Sequence, residues 1–285
     1  MTAEEATRDA TRMLFDAIEE GNVQTAKEAL DAGAELDAMR PVQGTPLHFA
    51  ASLNRADIAS LLLNRGADVN IRNPWQETPL HLAAGLGHTD TARVLIESDA
   101  DVDSRDEGQS TPLHRAAYHG HSNTAELLLN SRADATARDT RECTPLYFAA
   151  GCGDTATARL LLEKGVDVNA QTDSLATPLH FAVAYGHLEV SRLLIGRGAD
   201  VNSRDNEKRT PLHIVGGRRS ADIARLLIEN GADVDARDLG QRTPGDYAAA
   251  REAKDVVAVL AAARANATHA DRAGRRSGSE PKPGR

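Results

Sequence analysis

The tripeptide Thr-Pro-Leu recurs at a constant interval of 33 residues through most of this 285-residue chain. Its copies begin at Thr45, Thr78, Thr111, Thr144, Thr177 and Thr210. A shortened copy, Thr243-Pro244, follows at the same interval. Five of the six full copies continue into histidine (His48, His81, His114, His180 and His213), and Tyr147 takes that place in the fourth. A chance tripeptide would not keep phase over this length, so the chain is an array of like structural units.

Each copy has the residues of a pair of helices, as the one that begins at Thr78 illustrates. Thr78 is a good helix N-cap, and Pro79 suits the first helical turn, where its missing N–H has no partner to lose. Two small residues, Ala83-Ala84, allow close helix packing before Gly87 ends the helix in a left-handed conformation. A second helix carries the apolar triplet Val94-Leu95-Ile96. The pattern predicts a helix, a tight turn and a second helix in every copy.

The loop after the second helix reads Gly-Ala-Asp-Val-Asn at Gly66–Asn70, with relatives that begin at Gly165, Gly198 and Gly231. Together with the period and the Thr-Pro-Leu-His signature, it makes residues 8–263 resemble the ankyrin repeat. The resemblance implies an all-α solenoid of stacked helix pairs with β-hairpin-like finger loops. It also implies a concave face, built from fingers and first helices, that binds a partner protein.

The phase predicts about eight repeats, including two capping ones. The first cap is more polar, with Asp16 in an apolar row, and Gly245-Asp246 interrupts the signature in the last. A Gly/Ser/Pro-rich basic tail follows, which we expect to be disordered. The predicted boundaries are 8–40 for the N-terminal cap, 41–73, 74–106, 107–139, 140–172, 173–205 and 206–238 for six repeats, 239–263 for the C-terminal cap and 264–285 for the tail.

Composition narrows the class of partner. The chain carries a net charge of −9, and from Arg264 onward six basic residues face two acidic ones, so the repeats hold about −13. Such an acidic body disfavours nucleic acid as the main partner. No apolar run approaches the roughly 20 residues of a membrane helix, and the N-terminus lacks a secretory signal. With only two cysteines, we expect a cytoplasmic, monomeric protein without a cofactor or a membrane contact.

Catalysis has little support in the sequence. Eight of the ten histidines occupy the signature or the Gly-His stop, where every repeat needs them. The remaining chemical candidate is a thiol or metal site of His119, Cys143 and Cys152. Cys143 precedes a helix and Cys152 lies near its end, about 12 Å away at 1.5 Å per residue, too far for a disulfide or a shared zinc ion. An enzyme or small-ligand sensor that uses these residues is one alternative to a protein-binding function. A purely structural spacer is another.

The favoured function is a non-catalytic scaffold, adaptor or inhibitor that binds a partner protein. Some rows of residues at equal offsets from each Thr are not needed to form or pack the helices, so their side chains are available for binding. Aromatic and Arg side chains are the usual anchors of interfaces. The candidate partner-binding residues are Leu53, Trp75, Leu86, Tyr118, His119, Arg141, Tyr185, Arg209, Arg218, Arg242 and Arg251. The chain's only Trp and two of its four Tyr are among them, which a spacer would not require.

Charge suggests what the partner carries. Lys208, Arg209, Arg218, Arg219, Arg242 and Arg251 gather toward the C-terminal end of the array. They predict a partner with an apolar segment flanked by acidic groups. The alternative is a solvated cluster that Asp205, Glu207, Asp246 and Glu252 neutralise.

Three residues depart from the repeat pattern. Asp99 and Arg132 replace the glycine that ends the second helix, where a left-handed backbone costs a non-glycine residue about 1–2 kcal/mol. Arg115 stands in a row that is otherwise apolar or aromatic. It either pairs with an acid or reaches toward the concave face.

Overall fold

The computed structural model describes residues 2–42, 44–218 and 220–277, and in this part of the chain it contains sixteen α-helices. In chain order they are α1 Ala3–Glu20, α2 Val23–Asp31, α3 Pro46–Ser52, α4 Ala56–Asn64, α5 Pro79–Gly85, α6 Thr89–Glu97, α7 Pro112–His119, α8 Ser122–Asn130, α9 Pro145–Cys152, α10 Thr155–Glu163, α11 Pro178–Tyr185, α12 Leu188–Gly196, α13 Pro211–Arg218, α14 Ala221–Glu229, α15 Pro244–Ala250 and α16 Lys254–Ser277. The predicted all-α fold is confirmed. None of the described helices is both long and apolar enough to cross a membrane.

The chain divides into two compact units, which we call the N-terminal unit (Met1–Asp167) and the C-terminal unit (Val168–Arg285). In the N-terminal unit the first helices of successive repeats pack side by side, and so do the second helices. The C-terminal unit repeats this arrangement with α11–α16. The division falls in the loop after α10, within the predicted repeat 140–172.

The Thr-Pro-Leu-His signature begins each first helix as its chemistry predicts. Thr111 has extended backbone angles (φ −94°, ψ 166°), and its hydroxyl accepts from the backbone N–H of His114. The His114 ring returns the contact, because its Nδ1 accepts from the Thr111 N–H at 3.1 Å. Pro112 fills the first turn, and Gly120 ends the helix with φ 74°. Two backbone N–H groups that a helix start leaves unpaired are thereby satisfied.

The second nitrogen of each signature histidine joins one repeat to the next. Its Nε2 lies 3.0–3.2 Å from a backbone carbonyl 29 residues later, in the following finger. The pairs are His48 with Glu77, His81 with Ser110, His114 with Cys143, His180 with Arg209 and His213 with Arg242. Because a carbonyl only accepts, Nε2 carries the proton and Nδ1 is left as the acceptor. Each ring is therefore held neutral.

Small residues form the seams between helices. Ala83, Ala84 and Leu95 are fully buried, as are their counterparts in the neighbouring repeats. In the last repeat two positions that are buried in the preceding repeat come to the surface. Ala249 and Val257 are exposed, although the residues 33 positions earlier, Gly216 and Ala224, are buried.

Each finger is a tight turn that one buried polar side chain holds. Asp139 Oδ1, for example, accepts from the backbone N–H of Arg141 at 2.8 Å and of Cys143 at 2.9 Å. The equivalent buried side chains are Asn73, Asp106, Thr172, Asp205 and Asp238. The fingertip residue of this turn, Glu142, has a positive φ of 59°, a strained conformation that the hydrogen-bonded turn maintains. Isolated pairing of Arg40 with Gly44 is the only β-bridge found in the described residues.

Two departures from the repeat pattern have the expected backbone. Asp99 and Arg132 are left-handed, with φ of 65° and 67°, as the missing glycines predict. The boundary of the tail needs correction: the sequence predicts disorder from Arg264, whereas α16 continues to Ser277. The alanine-rich segment 261–265 explains this, because alanine has the highest helix propensity. Residues 278–285 of the expected tail lie outside the described residues.

Candidate functional site

Two adjoining depressions lie between the fingers and the first helices of the N-terminal unit. Their volumes are about 670 and 260 Å³, and both are lined by Asp106, Gly108 and Arg115. We call the two together the groove. Its larger half is further lined by Trp75, Glu77, Glu107 and Thr140, and its smaller half by Tyr118, His119, Arg141 and Phe148, among others.

Arg115 forms the boundary between the two halves of the groove. Its Nε and Nη2 donate to Asp106 Oδ2 at 3.1 and 2.7 Å, and Nη2 also lies 2.8 Å from Glu77 Oε1. The Asp106 side chain is only 3% exposed, and its Oδ1 accepts from the Ser110 backbone N–H at 2.9 Å. Of the two readings that the sequence left open, Arg115 therefore pairs with acids, and it links two successive fingers in doing so.

The smaller half of the groove has an aromatic wall. Tyr118 is 56% exposed and packs edge-to-face on the buried ring of Phe148, with ring centroids 5.6 Å apart. The His119 ring meets Tyr118 edge-on at 4.9 Å. Burial, followed by electrostatic interactions with His121 and Arg115, lowers the pKa of His119. The wall is therefore uncharged at neutral pH, and it is held in place by ring contacts within α7 and α9.

Trp75 stands at the rim of the larger half and is 47% exposed. Its backbone is fixed at both ends: its N–H donates to Asn73 Oδ1 at 3.0 Å, and its carbonyl accepts from the Glu107 N–H at 3.2 Å. The second bond places Glu107 beside the tryptophan. An exposed ring on a fixed backbone loses little conformational entropy on binding, which favours it as an interface anchor.

Four of the eleven residues predicted from sequence thus line one groove: Trp75, Tyr118, His119 and Arg141. Leu53 and Leu86 follow the last turns of α3 and α5, and neither belongs to this lining. Sequence reasoning missed Glu77, Asp106 and Glu107 because charged finger residues at variable positions resemble solvated loop charges. The signal that was available is Arg115, whose charge in an apolar row requires an acid nearby.

The remaining predicted residues belong to the C-terminal unit. Tyr185 is 56% exposed and lies edge-on to Phe181, with ring centroids 4.8 Å apart. Arg251 is exposed and directly follows α15. The side chain of Arg218, and Arg219 altogether, lie outside the described residues.

Arg209 and Arg242 are engaged by acids of their own fingers. Arg209 lies 2.8 Å from Asp205 and 3.3 Å from Glu207, and Arg242 lies 3.0 Å from Asp238. Although burial opposes it, hydrogen bonds from Tyr247 and Arg242 lower the pKa of Asp238 to about 2. For these two arginines the structure supports the neutralised cluster, which leaves them little free charge for an acidic partner.

The two cysteines differ in their surroundings. Cys143 is buried and Cys152 is exposed, and they are not joined by a disulfide. Burial raises the pKa of Cys152, and its Sγ donates to the Ala117 carbonyl at 3.2 Å, so the weakly nucleophilic thiol form prevails. No group of three His, Cys, Asp or Glu side chains in the described part of the chain is placed to hold a metal ion.

Comparison with known proteins agrees with the geometry. The family model described as "Ankyrin repeats (3 copies)" matches residues 66–139, 113–205 and 193–271, and that described as "Ankyrin repeats (many copies)" matches residues 30–83. The crystal structure of the human ASB11 ankyrin repeat domain is similar, with a TM-score of 0.71 and 27% identity over 77% of this chain and 97% of that one. No curated protein sequence matches. Since the family models span most of its length, the chain belongs to the ankyrin repeat family.

Proposed function

We propose that this protein is a non-catalytic scaffold, adaptor or inhibitor that holds a segment of a partner protein in the groove of its N-terminal unit. Ankyrin repeats are generally protein–protein interaction modules, and their fold is typically non-enzymatic. We further propose that it acts as a monomer in the cytoplasm, where its two unjoined cysteines suit a reducing environment.

One observation carries the proposal: two half-exposed aromatic rings, Trp75 and Tyr118, stand at the two halves of a continuous depression. Exposed aromatic side chains are costly to keep in water and are enriched at the centres of interfaces. Phe148 supports Tyr118 from below, and the finger backbone fixes Trp75. The Tyr118 ring is therefore supported by packing and Trp75 by its backbone, which suits a docking surface.

The chain provides its own matched control for a test. Tyr118 and Tyr185 lie in adjacent rows, seven and eight residues after the threonines of their repeats, and are equally exposed, at 56%, but only Tyr118 lines the groove. Tagged full-length protein would capture partners from its native cell, for wild type, the Trp75→Ala/Tyr118→Ala double variant and Tyr185→Ala. Quantitative mass spectrometry would identify the captured proteins, and circular dichroism would confirm that each variant is folded.

We expect the double variant to lose the specific partners and Tyr185→Ala to keep them. Each buried aromatic anchor contributes about 2 kcal/mol or more, so losing two weakens capture by about a thousandfold. Retention of every partner by the folded double variant would contradict the proposal. Loss caused by Tyr185→Ala alone would move the site to the C-terminal unit.

A further inference from the structure

The larger half of the groove has more negative than positive charge. Glu77, Asp106 and Glu107 line it together with one cation, Arg115, which leaves a net charge of −2. Arg115 contacts Glu77 and Asp106, whereas Glu107 is exposed and has no ion-pair partner among the described residues. The groove can therefore accept a further positive charge next to Trp75.

Trp75 and the carboxylates offer two kinds of attraction to the same group. The face of an indole ring attracts a cation through its quadrupole, and a carboxylate attracts it by direct charge. The Glu107 N–H donates to the Trp75 carbonyl, so the carboxylate and the ring come from adjoining fingers. A cation on a long apolar stem fits this arrangement, because its methylene groups cover the ring while its charge reaches the exposed Glu107.

The two halves of the groove are continuous, since both are lined by Asp106, Gly108 and Arg115. The smaller half offers the uncharged rings of Tyr118 and Phe148. A single extended segment can thus place a charged side chain in one half and an apolar one in the other. Nucleic acid does not suit the same surface, because carboxylates repel phosphates.

We propose that the partner inserts an arginine or lysine side chain into the larger half of the groove, against Trp75 and Glu107, with apolar residues beside it on Tyr118. This inference rests on the proposed function and specifies its partner. It replaces the acidic flanks that the sequence suggested, because Arg209 and Arg242 are already paired, whereas Glu107 is not.

A peptide library tests this inference even while the partner is unidentified. A phage-displayed library of random peptides would be selected on the full-length protein and counter-selected on the Trp75→Ala/Tyr118→Ala variant. The best binder would be synthesised with its basic residue intact and, for an arginine, with neutral citrulline in its place. Trp75 is the only tryptophan in the chain, so its fluorescence reports occupancy of the groove.

Two charge-removing variants separate a local effect from a general one. Glu107→Gln removes a carboxylate of the groove, whereas Glu126→Gln removes an exposed one on α8, away from it. We expect selected peptides to share one basic residue next to apolar ones. Citrulline or Glu107→Gln should each weaken binding about tenfold, and their combination no further, while Glu126→Gln changes it less than about twofold.

The outcomes distinguish the inference from the function on which it rests. Peptides that need Trp75 and Tyr118 but show no basic residue, or that bind equally well with citrulline, would overturn the inference and leave the docking groove intact. Equal weakening by Glu107→Gln and Glu126→Gln would also overturn it, since only net charge would then matter. A selection that yields no peptide dependent on Trp75 and Tyr118 would overturn both.

Discussion

The five signature histidines should make the protein unstable in mild acid. Each ring accepts a hydrogen bond at Nδ1 from a threonine N–H and donates one from Nε2 to a carbonyl, as His81 does with Thr78 and Ser110. A second ring proton would have to sit on Nδ1, where it would face the threonine N–H. Burial is the main reason why the pKa of each of the five is lowered in the folded protein.

Proton linkage gives the direction in which stability changes with pH. Below the ordinary histidine pKa of about 6.5, the unfolded chain binds protons that the folded chain does not, so the free energy of unfolding falls as the pH falls. The stabilisation is complete above about pH 7.5 and is lost from there downward, until the lowered folded-state pKa is reached. The pKa of Asp238, at about 2, lies well below this window.

The size of the stability loss depends on the number of rings that stay neutral. Each such ring lowers the free energy of unfolding by about 1.4 kcal/mol between about pH 7.5 and pH 5.5. Five such rings cost up to about 7 kcal/mol, which is comparable to the whole stability of a typical domain. Three of them, His48, His81 and His114, belong to the N-terminal unit and account for up to about 4 kcal/mol there.

Urea denaturation at the two pH values measures the effect, with circular dichroism for the whole chain and Trp75 fluorescence for the N-terminal unit. His81→Gln cannot titrate, so it should lower stability near pH 7.5 but reduce the pH dependence by about 1.4 kcal/mol. Leu161→Ala is the control, since it should lower stability equally at both pH values. An unchanged midpoint between the two pH values would refute the reasoning, and so would a full pH dependence in His81→Gln.

Three further predictions concern stability and are checked by urea denaturation. Leu161 is fully buried, so Leu161→Ala should cost about 2–5 kcal/mol, and a loss below about 1 kcal/mol would argue against tight packing there. Asp99→Gly and Arg132→Gly should each raise the midpoint because they relieve a left-handed backbone at a non-glycine residue, by up to about 1–2 kcal/mol, and a fall for both would contradict this. Arg115→Leu restores the usual apolar row but leaves the Asp106 carboxylate buried without its cation, which should cost about 3 kcal/mol. Adding Asp106→Asn should recover much of that loss, and no recovery would show that Arg115 acts through packing alone.

The backbone could be predicted from the sequence because the repeat keeps its phase without an insertion. The threonine caps, the glycine stops and even the left-handed Asp99 and Arg132 follow from offsets within one 33-residue unit. The end of the last helix could not be predicted in this way. No repeat covers residues beyond Arg264, and there the helix propensity of alanine competes with a polar composition that suggests disorder.

The ion pairs between side chains were less predictable. The position of a residue within the repeat determines where its backbone lies, but not which side chain it contacts. Arg242 lies four residues after the buried Asp238, and the finger turn brings the two together at 3.0 Å. The same spacing pairs Arg209 with Asp205. Two arginines of the predicted cluster, Arg209 and Arg242, are therefore engaged in ion pairs within their own fingers.

The groove is lined both by residues that hold the repeat together and by residues whose identity varies from repeat to repeat. In most repeats the framework satisfies its own polar groups: the histidine joins neighbouring repeats, and the buried finger residue holds its turn. Arg115 differs, because it places a charge at a position that is apolar or aromatic in the other repeats. Its guanidinium contacts both Asp106 and Glu77, and it lies between the half of the groove that contains Trp75 and the half that contains Tyr118. A single charged residue in a half-buried row thus pairs with two acids of the groove and stands between its two halves. Arg115 does not contact Glu107, so the carboxylate that stays unpaired beside Trp75 among the described residues is the feature that favours a partner with a basic side chain.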